Sequence, residues 1–147
     1  MVSQRISSFW INWLLVATAG VTLFGLAFVL LPDVMQRLFN WLLFGHTASL
    51  FSADVNAYLT FVYGVLGAVM VGWSLCLFYL IHNPLRRGER GGWLALALSL
   101  AVWYAIDTPF SLATGNPGNA ALNTFFLLIF AIPIVANVRL LWPTKPE

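Results

Sequence analysis

The sequence predicts an all-α integral membrane protein: a four-transmembrane-helix bundle with a short amphipathic interfacial helix between spans 1 and 2. Three observations carry that reading. Hydrophobic residues make up 61% of the chain and charged residues 8%, against roughly 45–50% and 25% in soluble proteins. Four apolar runs reach the roughly 20 residues that cross a ~30 Å hydrocarbon core. Lys and Arg gather on one side of the topology those runs imply. At 147 residues the length suits a single domain.

The first run is about Phe9–Leu31. Arg5 ahead of it and Ala17-Thr18-Ala19 within it imitate a secretory signal and its cleavage site. The apolar run nevertheless continues to Leu31, so it reads as a retained span. Pro32–Ala53 is too polar and broken to cross, but Val34–Phe44 within it is amphipathic. That stretch is expected as a short helix lying in the interface or folded back against the bundle. The second, third and fourth spans fall at about Val55–Ile81, Trp93–Ala113 and Ala120–Leu141. Asn116-Pro117-Gly118-Asn119 is a tight turn, which makes the last two spans antiparallel neighbours.

This topology puts Arg5, Arg86, Arg87, Arg90, Arg139 and Lys145 on one side and Arg37 alone on the other. The positive-inside rule then places both termini in the cytoplasm. Trp10, Trp13, Trp93 and Trp142 fall near the cytoplasmic ends, as an aromatic belt requires. The net charge of +2 is too small and too dispersed for a nucleic-acid surface. The partners expected are membrane lipids and a homo-oligomer or larger membrane complex. With Cys76 alone, no intrachain disulfide forms.

Helices in lipid associate through close packing and polar contacts, because lipid is as apolar as leucine. Gly64, Ala68 and Gly72 form a small-residue stripe on the second span, and Ala97, Ala101 and Ala105 form one on the third. Facing one another, the stripes allow close backbone approach; facing outward, they serve a dimer. Thr18, Thr22 and Gly25 make a shorter version on the first span.

The chemistry concentrates around Asp107. A carboxylate at membrane depth costs on the order of 2.5–3.5 kcal/mol even on the insertion scale, so it faces protein or water rather than lipid. At 3.6 residues per turn, Trp103, Tyr104, Asp107, Ser111 and Thr114 share a face of the third span. Asn56, Thr60, Tyr63, Gly67 and Ser74 share one on the second, and Asn119 and Asn123 lie one turn apart on the fourth. By helical rise, Asp107, Tyr63, Thr60, Ser111 and Asn123 all fall roughly 6–12 Å below the outer surface. Asp107, Tyr63, Thr60, Ser111, Asn123 and Tyr104 are therefore the expected ligand-binding residues of an outward-facing polar pocket. The bland alternative is that these groups satisfy one another and hold the bundle in register.

Pro109 and Pro133 each remove a backbone hydrogen bond and kink a span; Pro109 frees the carbonyl of Ala105. His46 and His82 lie at opposite ends and cannot share a metal or haem, so neither a metal nor a cofactor is expected. The Arg86-Arg87-Gly88-Glu89-Arg90 loop is sufficiently explained as a topology signal. Phosphate-binding, dinucleotide, nucleophile-elbow and paired-His zinc motifs are missing, and no catalytic residues are assigned.

The first span running into Leu30-Leu31-Pro32-Asp33, the amphipathic stretch, and the glycine-rich Tyr63-Gly64-Val65-Leu66-Gly67-Ala68 resemble small uncharacterised bacterial four-span membrane proteins, loosely similar to the DoxX-like group. The likeness covers most of the chain by layout. It implies a four-helix bundle in a bacterial inner membrane and carries over no functional residues. The function expected is non-enzymatic binding of a small or lipophilic ligand or ion around Asp107, in a transporter or a subunit of a membrane complex. Two alternatives stand beside it. One is an intramembrane enzyme on a lipid-like substrate with Asp107 as acid or base and Tyr63 assisting; the other is a structural accessory subunit.

Overall fold

The structure, a computed structural model, describes residues 6–47 and 51–141, and only the backbone of Leu140 and Leu141. Arg5, Trp142 and Lys145, which contribute to the charge and tryptophan patterns above, lie outside the described residues. The elements are α1 (Ser8–Leu30), α2 (Pro32–Phe44), α3 (Ala53–Leu80, extended by a π-helical turn Ile81–Leu85), α4 (Arg90–Ala113), α5 (Pro117–Ala136) and α6 (Val138–Leu141). Four of them, α1, α3 with its extension, α4 and α5, are long and apolar enough to cross a membrane. No strand occurs among the described residues.

The predicted amphipathic segment is α2. Pro32 occupies its first turn, where a missing N–H costs nothing, and Asp33 sits at its positive end. Gly45, at φ 76°, ends it and donates to the Trp41 carbonyl. The helix folds back against the bundle, burying Met35 and Asn40. Phe39 packs between Phe28 of α1 and Tyr63 of α3, with ring centroids 5.5 and 6.2 Å away. Its far end meets α5 so closely that a Cβ on Gly118 would lie 2.6 Å from the Leu42 carbonyl oxygen.

The α3–α4 hairpin explains why the second span outruns its expected end at Ile81. Pro84 has no N–H to offer the Tyr79 carbonyl that a π turn presents to it, and the Asn83 side chain donates there instead at 3.3 Å. Gly88, at φ 75°, reverses the chain, and Gly92 fits against Pro84, where a Cβ would sit 2.8 Å from the proline ring. The Arg87–Glu89 ion pair in this loop is exposed and contributes little.

The fourth span stops at Ala136, five residues before its expected end, and the cause is local. Pro133 cannot donate to the Ile129 carbonyl, and the indole of Trp13 on α1 donates to it at 2.9 Å. The N–H of Asn137 turns to Val135, while its side-chain amide takes over the Pro133 carbonyl at 2.7 Å. The Trp93 indole donates to Ile134 in the same stretch at 3.1 Å. Trp13 and Trp93, expected as belt residues, thus bond to carbonyls where the helical ladder is interrupted.

The small-residue stripes do not pair as the spacing suggests. Gly64 and Gly72 have nothing within 4 Å of where a Cβ would be. The close crossing is instead between Gly25 of α1 and Gly67 of α3, where a Cβ on Gly67 would collide with the Gly25 carbonyl oxygen and lie 2.8 Å from Phe28 Cβ. Two turns along, Thr22 donates to Ser74 across the same interface at 2.8 Å, and Thr18 and Ser74 are fully buried.

The core lies toward the arginine-bearing hairpin: Leu14, Leu77, Ile81, Leu85, Leu96, Leu100 and Phe130 are all 2% exposed or less. Gly67→Ala should destabilise the protein by about 1–3 kcal/mol, the usual cost of overpacking. Gly64→Ala should stay within about 0.5 kcal/mol of wild type. Reversible unfolding in mixed micelles measures both, and equal effects would contradict the Gly25–Gly67 crossing.

Candidate functional site: a cleft ending at Asp107

Away from the hairpin, α3 and α4 diverge. Their last cross-links are a hydrogen bond from the Trp73 indole to Ser99 Oγ at 2.8 Å and a ring contact between Trp73 and Trp103 at 6.1 Å. Alongside these cross-links, from Ala95, and on past them to Asn119, the helices border a cleft of about 1130 Å³, just above the roughly 300–1,000 Å³ range typical of small-molecule sites. Phe24 and Phe28 of α1 and Phe126 and Phe130 of α5 form its back, and Phe39 and Leu43 of α2 close one side. Leu66, Val69, Leu98, Val102 and Phe110, all exposed, frame its mouth between α3 and α4.

The cleft is apolar along most of its length and polar at one end, where Asp107, Ser111, Thr114, Asn116, Asn119 and Asn123 line it. The end of α4 builds this polar group. Gly115, at φ 76°, donates to Leu112, and Asn116 donates to Ser111, the paired bonds of a Schellman motif. Pro117 then starts α5 at once, and Asn119 in its first turn points back toward α4. The Asn119 amide donates to Ser111 Oγ at 2.8 Å and to Asp107 Oδ1 at 3.4 Å. Ser111 Oγ lies 2.7 Å from the Asp107 carbonyl and 3.2 Å from Oδ1. Among the described residues no hydrogen bond reaches Oδ2, and no Lys, Arg or His lines the cleft.

Three of the six sequence-expected residues, Asp107, Ser111 and Asn123, line this cleft. Asn123 is buried and donates to Thr108 Oγ1 at 3.4 Å. Tyr104 turns to α5, its hydroxyl 3.0 Å from Thr124 Oγ1, and does not line the cleft. Tyr63 and Thr60 are not brought to Asp107. Tyr63 packs edge-on against Phe28 at 5.4 Å, and Thr60 is exposed and donates to the Asn56 carbonyl of its own helix. The physical reason is the Gly67–Gly25 crossing: Tyr63, Gly67 and Ser74 share a face, and that crossing turns it toward α1.

Asn119 is the principal addition, since it holds Asp107 and Ser111 together. The sequence places it one turn from Asn123, but only the compact Schellman turn brings its amide back across to α4. The aromatic back wall has no separate signal, because phenylalanines that line a cavity and those that face lipid are equally apolar. No protein-family model, no curated protein and no solved structure matches the chain, so the likeness to the DoxX-like group rests on layout alone.

Asn119→Ala should cost about 0.6 kcal/mol and no more than about 1.7, as for other interhelical polar contacts in membrane proteins. The same unfolding assay reads it, and a loss of several kcal/mol would mean that Asn119 carries more of the fold than its two hydrogen bonds account for.

Proposed function

We propose that this is a multi-pass protein of the bacterial inner membrane, its termini cytoplasmic, that binds an amphipathic ligand in the cleft between α3 and α4. The tail lies along the aromatic wall and the head group meets Asp107, Ser111 and Asn119. The observation that carries this reading is the joining of a long apolar cavity to one compact polar end. Such a shape matches a molecule with the same division. A mouth framed by exposed apolar side chains lets a lipophilic molecule pass in from the bilayer without crossing water. Transport, or service as a subunit of a larger complex, would build on this binding step.

Binding is favoured over catalysis by the company Asp107 keeps. The enzymatic alternative sets Tyr63 beside Asp107 as the assisting group, and Tyr63 packs against Phe28 instead, leaving a hydroxyl and an amide around this carboxyl. A purely structural accessory role calls for a filled interior, which the cleft volume argues against.

The test uses purified protein in lipid nanodiscs and a brominated single-chain amphiphile, whose bromines quench nearby indoles. Wild type should show saturable quenching that Trp73→Phe/Trp103→Phe diminishes. Narrowing the mouth with Val69→Phe/Val102→Phe should weaken it by about tenfold or more, as expected when a ligand side chain's worth of apolar contact is denied. Non-saturable quenching that is the same in all three proteins would sink the proposal.

A further inference from the structure

Resting on that reading, the geometry points to the chemistry of the head group: we infer that the cleft selects amphiphiles carrying a protonated amine. The polar end holds one carboxyl and, among the described residues, no basic side chain. Both hydrogen bonds that the Asp107 side chain accepts fall on Oδ1, which leaves Oδ2 open. The groups nearest the carboxyl have already directed their donors elsewhere, and Asn123, a turn further along α5, gives one N–H to Thr108. Asn119 gives its amide to Ser111 and Asp107, Asn116 gives its amide to the Thr114 carbonyl and hydroxyl, and the Thr114 hydroxyl turns back on Phe110 and Ser111. What these groups retain is acceptor capacity: Oδ2 of Asp107 and the side-chain carbonyls of Asn116 and Asn119.

A primary ammonium brings three N–H donors and one positive charge, so it fits both the acceptors and the charge. A carboxylate or phosphate head would meet like charge and acceptors only. A hydroxyl head supplies one donor and no charge. An unpaired carboxylate in an apolar cavity is costly, and an ammonium supplies the counter-charge that none of the described lining residues provides. From Asp107 to Ala95, the far lining residue on α4, twelve residues of helix span about 18 Å. That length accommodates a long hydrocarbon tail rather than a short one.

The test compares three brominated amphiphiles of identical chain, a primary amine, an alcohol and a carboxylate, in nanodiscs of zwitterionic lipid. Wild type should bind the amine at least about tenfold more tightly than the alcohol, the worth of a charge-assisted contact, and the carboxylate weakest. The isosteric Asp107→Asn should abolish the amine preference, so that amine and alcohol bind within about twofold of one another. Equal binding of amine and alcohol, or a preference that survives in Asp107→Asn, would overturn the amine assignment. If both are still excluded by Val69→Phe/Val102→Phe, the cleft reading stands without it. Failure of all three amphiphiles to quench saturably would overturn both.

Discussion

The absence of two Cβ atoms decides the arrangement of the bundle. Gly25 and Gly67 let the backbones of α1 and α3 touch, and that contact fixes which side of α3 faces α1. Thr22 and Ser74 repeat the contact further along with a hydrogen bond between the two helices. With its small and polar side committed there, α3 leaves only larger apolar residues, Leu66 and Val69 among them, toward α4. Those residues do not close on α4 away from the hairpin, and the cleft is the space that results. The site therefore follows from a helix–helix contact on its far side.

A second constraint keeps α5 in place despite an interrupted ladder. At three places where the helical ladder is interrupted, a nearby side chain donates to the orphaned carbonyl. Trp13 takes Ile129, Asn137 takes Pro133 and Asn83 takes Tyr79. In an apolar medium an unanswered carbonyl costs several kcal/mol, so these donors are part of the backbone structure in all but covalent connection. They also tie α1 and α4 to α5 through indoles whose rings remain partly exposed.

Much of this was legible in the sequence, though unevenly. The four spans follow from apolar run length, and α2 from its amphipathic spacing and from Pro32 and Gly45 at its ends. The pairing of Asp107 with Ser111 follows from their separation of four residues on one helix. Asn123 follows from the antiparallel turn. Helical angle groups Tyr63 with Gly67 and Ser74 correctly, but it does not say toward which neighbour the group points. A single glycine contact settles that, and Gly64 and Gly72, though spaced for such contact, do not make it. Boundaries slipped where side chains replaced backbone donors, at Ile81 and at Ala136, because spacing records hydrophobicity and not who bonds to whom.

The hairpin and the indole–hydroxyl bond at Trp73 and Ser99 sit at the same end of α3 and α4, so the pair resembles tweezers joined near the handle. A small rotation about that joint is magnified toward the tips, where Leu66 and Phe110 stand apart. The spread of the arms, rather than the packed end, therefore sets the width of the cleft mouth.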